Sequence, residues 1–320
     1  MNNTGFFNYM SVNSSNSLFR NGKVLTRRDI NGSDAGSIGI ELEKHKMDVI
    51  NARNLLSSGK ISLNNQGFDV LQSKLLEQDF DFFNNNEVIE KYYAECANII
   101  KERTGSRNVY AFDHNIRSAS GKKSKRMIND GQQVQGPAHI VHGDYTLTSA
   151  PERFRQLAKP SGKNDTLRKI LGEGHSLIPK KILDNTLSNG RFAIINLWRN
   201  IVKEPVEINP LALCDASTVS LKDLVVFEIH YADRIGENYF AKYNNKHRWY
   251  YFDKLTRDEA LLIKQWDSEG NMAKTNGKFS DNELLDNPCT FSFHSAFEDP
   301  TTREDAPDRC SMEVRCIVIY

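Results

Sequence analysis

Short apolar runs separated by turn residues dominate the chain after residue 136. Their length and their content of β-branched and aromatic residues predict β-strands. The predicted strands cover 139–145, 192–198, 225–231, 239–243, 248–252, 290–297 and 311–320. Apolar residues at helical spacing predict a helix over 86–104, and a capping Thr256 followed by two acidic residues predicts another over 256–266. This order of elements is typical of a mainly β sandwich or barrel with flanking helices.

The domain organisation follows from the same pattern. Residues 1–22 are rich in Asn and Ser, which predicts a flexible N-terminal tail. Residues 23–320 contain neither an internal repeat nor a clear linker, so we expect one domain with a helical and strand extension before its β-rich part. A chain of 320 residues is long enough to bury a large core.

Charge and composition exclude several classes of partner. Lys plus Arg number 42 and Asp plus Glu 41, a balance that disfavours a general nucleic-acid binder. No apolar run approaches the roughly 20 residues of a membrane span, and the start of the chain lacks a secretory signal. The 5 cysteines form no CxxC pair, so a reducing cytoplasm is expected. The sequence leaves the oligomeric state open. A small-molecule substrate is the expected partner.

One candidate metal site stands out. His142 and Asp144 are two residues apart on a predicted strand, so their side chains point to the same face. His294 lies on another predicted strand and can supply the third ligand. Two histidines and a carboxylate, with open positions, are typical of non-haem iron(II) oxygenases. Alternation turns His139 away, which predicts a structural or supporting role and disfavours the alternative set His139, His142 and Asp144.

Other polar residues suggest a co-substrate and a substrate site. Arg309 and Ser311 share a face at the start of the last strand, where a guanidinium and a hydroxyl suit the distal carboxylate of 2-oxoglutarate. Arg199 lies in an apolar strand, where it forms an internal ion pair or anchors a carboxylate of substrate or co-substrate. Tyr145 is a candidate pocket residue or a core aromatic. No catalytic side chain beyond the metal centre is predicted.

Several stretches of sequence carry a resemblance to a known family. They cover 92–117, 137–157 (PAHIVHGDYTLTSAPERFRQL), 191–224 (beginning RFAIINLWRN), 239–264 and 293–320. With them, roughly residues 65–320 resemble the non-haem iron(II)/2-oxoglutarate-dependent oxygenases of specialised metabolism, a family that includes a cephamycin methoxylation protein, gibberellin desaturase-like proteins and fungal hydroxylase/desaturases. The resemblance implies a double-stranded β-helix of the cupin-like jelly-roll type.

The resemblance also implies roles for individual residues. Iron(II) would be held by His142, Asp144 and His294, and 2-oxoglutarate by Arg309 and Ser311, with O2 as the oxidant. The expected reaction is oxidation of an unactivated C–H bond of a small specialised metabolite by hydroxylation, desaturation or oxidative ring closure, since all three share this ligand set.

The sequence leaves the substrate and two other functions open. Arg199, Arg303 and Arg315 suggest a carboxylate-bearing or amino-acid-derived substrate. The alternatives are a metal-dependent hydrolase on a cupin-like fold, since His and Asp also bind zinc, and a non-catalytic jelly-roll binding module. A hydrolase has no use for the Arg309–Ser311 pair, and a module without a functional metal site need not keep all three ligands.

Overall fold

The computed structural model describes residues 3–28, 34–129, 131–162, 165–231, 234–283 and 287–320. Its strands are β1 (Asn3–Met10), β2 (Leu25–Arg28), β3 (Asp34–Ile38), β4 (Leu42–Asn51), β5 (Phe68–Gln72), β6 (Asn108–Arg117), β7 (His142–Gly143), β8 (Phe192–Asn200), β9 (Leu211–Cys214), β10 (Leu224–His230), β11 (Ile235–Ala241), β12 (Trp249–Tyr251), β13 (Glu259–Asp267), β14 (His294–Ala296) and β15 (Ser311–Ile319). Its α-helices are α1 (Asn85–Glu87), α2 (Tyr93–Thr104), α3 (Ala119–Lys123), α4 (Ser149–Leu157), α5 (Arg168–Leu171), α6 (Lys180–Asn189) and α7 (Asn271–Lys274). A π-helical turn, Val88–Tyr92, joins α1 to α2, and 3-10 turns cover Ala52–Ser58, Ala216–Thr218 and Leu221–Asp223. A mainly β fold with flanking helices is therefore confirmed.

Two sheets organise the strands. The larger runs β1-β4-β12-β9-β14-β7-β11-β10-β2-β3, and the smaller runs β5-β13-β8-β15-β6. In the smaller sheet β15 pairs antiparallel with β8 on one side and β6 on the other, so that Ser311 lies opposite Asn200 and Arg117. This register aligns the polar residues of three strands on one face.

The central strands of the smaller sheet are buried on both faces. Every residue of β8 and of β13 is buried, as are all residues of β15 except Arg315, which is half-buried. One face packs towards the larger sheet, where Trp198 joins an apolar cluster with Leu213 and Tyr250. On the other face, Leu197 belongs to the main core cluster, which also contains residues of the helix α2. Side chains that alternate along β8 therefore enter two different environments.

The predicted N-terminal tail is wrong for residues 3–10. These residues form β1, which pairs antiparallel with β4 from Asn3 opposite Val49 to Met10 opposite Leu42. Phe7 and Tyr9 are completely buried, and Phe7 stacks on Trp249 at 4.5 Å between ring centroids. The Asn- and Ser-rich composition concealed an alternation of buried and half-buried residues. A single domain over residues 23–320 stays a prediction.

The predicted helix over 256–266 is also wrong, because Glu259–Asp267 is the strand β13. β13 lies between β5 and β8 in the sheet, and both of its faces are buried. Its sequence is therefore apolar on both faces and lacks the alternation that identifies a strand. The signal read as a helix cap is a turn in which Thr256 donates from its backbone N and its hydroxyl to Glu259 Oε2, at 2.9 and 3.0 Å.

Among the described residues, no helix is long and apolar enough to cross a membrane.

Candidate metal centre

Three predicted ligands meet between the two sheets. His142 on β7 lies opposite His294 on β14, and Asp144 directly follows β7. Asp144 Oδ1 is 3.7 Å from His142 Nε2 and 3.9 Å from His294 Nε2, and one ligand atom of each residue lies within 4.8 Å of the others. The residue between the first two ligands is Gly143, where a Cβ would come within 3.0 Å of the ring of Phe291. The distances between the ligand atoms of His142, Asp144 and His294 suit a single metal ion.

Hydrogen bonds orient the two imidazoles. His142 Nδ1 lies 2.7 Å from the carbonyl oxygen of Ile140, which can only accept, so Nδ1 carries the proton and Nε2 is free to bind a metal. His294 Nδ1 lies 3.5 Å from Gln265 Nε2. Burial lowers the pKa of His142 to about 4, and burial also lowers the pKa of His294. Both rings are therefore neutral at physiological pH, as metal ligation requires.

The Asp144 carboxylate is held by one of its oxygens. Its Oδ2 accepts hydrogen bonds from Asn196 Nδ2 at 2.9 Å and from Arg315 Nε at 3.4 Å, which leaves Oδ1 facing the imidazoles. Burial would raise the pKa of Asp144, but the nearby Arg315 and the two histidines outweigh it and hold the pKa well below its usual range. The carboxylate is therefore ionised and presents one oxygen as a ligand.

Arg315 links this ligand to two further carboxylates. Its Nη1 donates to Asp113 Oδ2 at 3.0 Å, and its Nη2 lies 3.3 Å from Glu313 Oε1. Asp113 also accepts a hydrogen bond from Thr166 Oγ1 at 2.7 Å. Arg315 thus fixes Asp144 to the smaller sheet, although the two residues are far apart in the sequence.

Arg309 and Ser311 lie on the same inward face as Arg315, where polar atoms are left without partners. Both residues are buried. Arg309 Nη1 donates to the carbonyl oxygen of Asn209, while Arg309 Nε and Ser311 Oγ have no hydrogen-bond partner among the described residues. Asn196 Oδ1 and Asn115 Oδ1, on the neighbouring strands, are also unpaired. Unpaired buried polar atoms are costly in a folded protein, and this concentration is typical of a ligand site.

The structure contradicts a substrate-binding role for Arg199. Alternation along β8 turns Arg199 to the face opposite Asn196, where its side chain is completely buried. Its guanidinium donates to Tyr92 Oη at 2.9 Å and to the carbonyl oxygens of Arg257 at 2.9 Å and Ser73, and it pairs with Glu95 at 3.4 Å. These contacts fill its hydrogen-bonding capacity on the helix side of the sheet, away from the metal ligands.

The other predicted residues have varied positions. Tyr145 is buried, and burial raises the pKa of its phenol, with Arg315 the next largest influence. Tyr145 directly follows the ligand Asp144 in the chain, and its substrate role stays a prediction. His139 is outside the cluster of possible metal ligands in the described residues, as its predicted facing requires. Burial lowers the pKa of His139, and the next influence is Arg309.

The arginines that suggested a carboxylate-bearing substrate do not support it. Arg199 lies behind the sheet, and Arg315 is occupied by carboxylates of the protein. Arg303 is exposed and pairs with Glu207 at 2.8 Å and with Asp305 at 3.0 Å. The argument for an anionic substrate from these residues is therefore removed.

Sequence reasoning missed several residues of the site. They are the side chains that contact the ligands or share their face: Asp113, Asn115, Arg117, Asn196, Gln265 and Glu313. Each is a polar residue within or beside an apolar strand, and that signal could have identified them.

Comparison with known proteins supports an oxygenase. The model of a family described as an oxidoreductase/YMDC permease-like domain matches residues 7–319. An uncharacterised protein of Methylophilus leisingeri is 41% identical over 195 residues, covering 61% of this chain and 88% of its own length. The hydroxylase/desaturase efuI of Hormonema carpetanum is 26% identical, covering 89% of this chain and 88% of its own. The Fe(II)/2-oxoglutarate-dependent dioxygenase nvfI of Aspergillus novofumigatus is 28% identical, covering 86% and 83%.

A solved structure has the same fold. The iron and alpha-ketoglutarate-dependent endoperoxidase NvfI superposes with a TM-score of 0.68 at 22% identity, covering 99% of this chain and 97% of its own. The predicted jelly-roll class is confirmed by this match. The resemblance to iron(II)/2-oxoglutarate oxygenases read from the sequence is confirmed by the relatives.

Proposed function

Since this chain belongs to the family described as an oxidoreductase/YMDC permease-like domain, we propose that it is an iron(II)- and 2-oxoglutarate-dependent dioxygenase that oxidises a small specialised metabolite. Its metal ligands are His142, Asp144 and His294. Its co-substrate residues are Arg309 and Ser311.

One observation carries the proposal. Two neutral imidazoles and one ionised carboxylate form the ligand cluster, and Arg315, which contacts Asp144, shares its face of β15 with Ser311, whose Oγ is unpaired like the nearby Arg309 Nε among the described residues. The ligand set suits iron(II) with open coordination positions. The donors suit a carboxylate that lies away from the metal. A chelating dicarboxylate such as 2-oxoglutarate meets both requirements in one molecule.

The residues of the chain bind and orient the reactants. Iron(II) with 2-oxoglutarate and O2, when bound, supplies the oxidising power that removes hydrogen from an unactivated C–H bond. Asn196 and Arg315 hold Asp144 Oδ2, so that one carboxylate oxygen faces the metal and further positions stay open. Ile140 fixes the tautomer of His142.

The outcome of the oxidation depends on the substrate. The relatives include proteins named as hydroxylase/desaturase and as dioxygenase. The same ligand set serves hydroxylation, desaturation and oxidative ring closure, so the pocket around the metal decides among them. A metal-dependent hydrolase and a non-catalytic binding module are the competing functions. A hydrolase has no use for Arg309 and Ser311, and a binding module need not keep all three metal ligands.

The test is co-substrate binding and turnover. The purified protein is loaded with iron(II) and 2-oxoglutarate without oxygen, and we expect the visible charge-transfer band of the chelate. With oxygen and ascorbate but no substrate, slow uncoupled formation of succinate should follow. A hydrolase or a binding module gives neither, so absence of both signals from iron-loaded protein would contradict the proposal.

Variants of the ligands sharpen this test. Ala at His142, Asp144 or His294 should abolish succinate formation while the circular dichroism spectrum stays that of the native fold, because the core does not depend on the metal. His139→Gln is the matched control and should keep its iron, since His139 lies outside the cluster. Full activity and normal iron content in any one of the three Ala variants would show that its residue is misassigned.

A further inference from the structure

A second arginine points towards the co-substrate side of the site. Arg117 ends β6 and lies directly opposite Ser311 in the register of β6 and β15. Residues paired across antiparallel strands share a face, so Arg117 projects to the same side of the sheet as Ser311. Its Nη1 donates to the carbonyl oxygen of Gly136 at 2.9 Å. Arg117 therefore borders the space that Arg309 and Ser311 face.

Neither Arg117 nor Arg309 has an anionic partner among the residues that the structure describes. Each guanidinium has a hydrogen bond to a backbone carbonyl, that of Gly136 or of Asn209. Glu313, a buried acid on this face, lies 3.3 Å from Arg315, and its charge raises the pKa of Arg117 against the larger effect of burial. Two guanidinium groups without a carboxylate within 4.0 Å, as far as the described residues show, leave a positive region that an anion would neutralise.

The charge of Arg117 influences the pKa values of Arg309 and of the two histidine ligands. Burial lowers the pKa of Arg309 to about 10, and the positive charge of Arg117 is the next largest influence. The charge of Arg117 also lowers the pKa of His142 and of His294, after larger effects that include burial. These influences agree with the strand register, which places Arg117 on the same face as Ser311.

We propose that Arg117 and Arg309 form a two-guanidinium clamp, with the Ser311 hydroxyl between them, for the distal carboxylate of 2-oxoglutarate. This inference rests on the proposed function and adds a residue to its co-substrate site. Two guanidinium groups present more donors to the two carboxylate oxygens than Arg309 alone, whose Nη1 is already bonded to the backbone. The clamp would select a dicarboxylate over a shorter 2-oxo acid.

The experiment compares two co-substrates in the absence of oxygen. 2-Oxoglutarate and 2-oxobutyrate chelate iron(II) through the same 2-oxo acid group, but only the former carries a distal carboxylate. Dissociation constants are measured from the charge-transfer band for the wild type, Arg117→Leu, Arg117→Lys and Arg309→Leu. Losing one charge-assisted contact should weaken 2-oxoglutarate binding of Arg117→Leu by about 10- to 100-fold. Binding of 2-oxobutyrate should change by less than about 2-fold.

Matched variants keep the outcome interpretable. Arg153→Leu removes another half-buried arginine, which pairs with Asp165 and lies 5.0 Å from the ring of Phe112, a residue of the strand that carries Arg117. This variant should leave both dissociation constants unchanged. Arg117→Lys keeps the charge but loses the planar fork, so it should lie between the wild type and Arg117→Leu. If Arg117→Leu fails to fold, Arg117→Lys alone must show the selective weakening.

Two results would overturn the clamp. Unchanged 2-oxoglutarate affinity in the Arg117 variants would remove Arg117 from the site. Equal weakening of both co-substrates would mean that Arg117 acts on the metal end. In either case, a charge-transfer band in the wild type and loss of 2-oxoglutarate affinity in Arg309→Leu would leave the proposed function intact, whereas a wild type without the band would contradict the proposed function itself.

Discussion

The two faces of β6, β8 and β15 carry buried polar residues of different kinds. On the face towards the larger sheet, four atoms have no hydrogen-bond partner in the described part of the chain: Asn115 Oδ1, Asn196 Oδ1, Arg309 Nε and Ser311 Oγ. On the opposite face, which packs against the helices, Arg199 is surrounded by acceptors, and His114 Nδ1 is bonded to Tyr93 Oη at 2.8 Å. The residues of the two faces lie on or beside the same strands and are buried to a similar extent.

The difference separates residues that serve the fold from residues that serve a ligand. A buried polar group that has its partners within the protein stabilises one packing arrangement. A buried polar group without partners destabilises the free protein and gains its partners when a ligand binds. The unpaired atoms therefore mark the functional face, which neither burial nor charge alone would identify. Four variants test this comparison.

The largest effect is expected on the ligand face, at Arg309. Arg309→Ala would remove a guanidinium partner of the distal carboxylate of bound 2-oxoglutarate, at a cost of about 3–5 kcal/mol. 2-Oxoglutarate binding should weaken by about 10²–10³-fold or more, while iron still binds. Titration of the anaerobic iron complex measures the affinity. Arg309→Lys should recover only part of the loss, and unchanged affinity in Arg309→Ala would mean that the co-substrate anchor lies elsewhere.

A smaller effect is expected at Arg315, which acts on the metal through Asp144. Arg315→Met removes one of the two donors to Asp144 Oδ2, so iron(II) affinity should fall by about 10- to 100-fold. Competition with a metal chelator measures this affinity. The control is Arg303→Met, an exposed arginine paired with Glu207 that should have no effect. If Arg315→Met binds iron normally but loses 2-oxoglutarate, Arg315 and not Arg309 is the anchor.

Arg199 tests the helix face. Arg199→Met leaves Glu95 and several buried acceptors without their donor, so the free energy of unfolding should fall by about 3–5 kcal/mol. The affinity of the folded protein for 2-oxoglutarate should stay within about 2-fold of the wild type. Denaturant unfolding and the anaerobic titration measure the two quantities. Selective loss of 2-oxoglutarate affinity with normal stability would return Arg199 to the ligand site.

The smallest and most gradual effect concerns His114. Burial lowers its pKa from about 6.5 to about 4 in the folded protein. The unfolded state then binds more protons between these values, so stability should fall as pH drops from about 6.5 to about 4, by at most about 3 kcal/mol. Unfolding free energies of the wild type and His114→Gln, measured across this range, should converge as pH falls. Parallel curves would show that His114 is not the titrating group.

Local alternation was sufficient to select the candidate metal ligands and the proposed co-substrate residues. His142 with Asp144 and Arg309 with Ser311 are pairs two positions apart, and the two-residue period of a strand fixes their common face without any tertiary information. The same rule failed at β13, where burial on both sides removed the alternation. It also could not tell which of the two faces of β8 Arg199 occupies, since both are apolar.

The sequence by itself determined the chemical types at the site, the order of the ligands and the mainly β class, because these follow from residue identity and short-range periodicity. Only the tertiary structure decided which residues support the ligands. Arg315 contacts Asp144 although 171 positions of sequence separate them. Arg117 lies opposite Ser311 because β6 and β15, which are far apart in the sequence, pair in this register. Register between strands and the absence of a hydrogen-bond partner depend on the packing of the whole chain, and no local pattern specifies either.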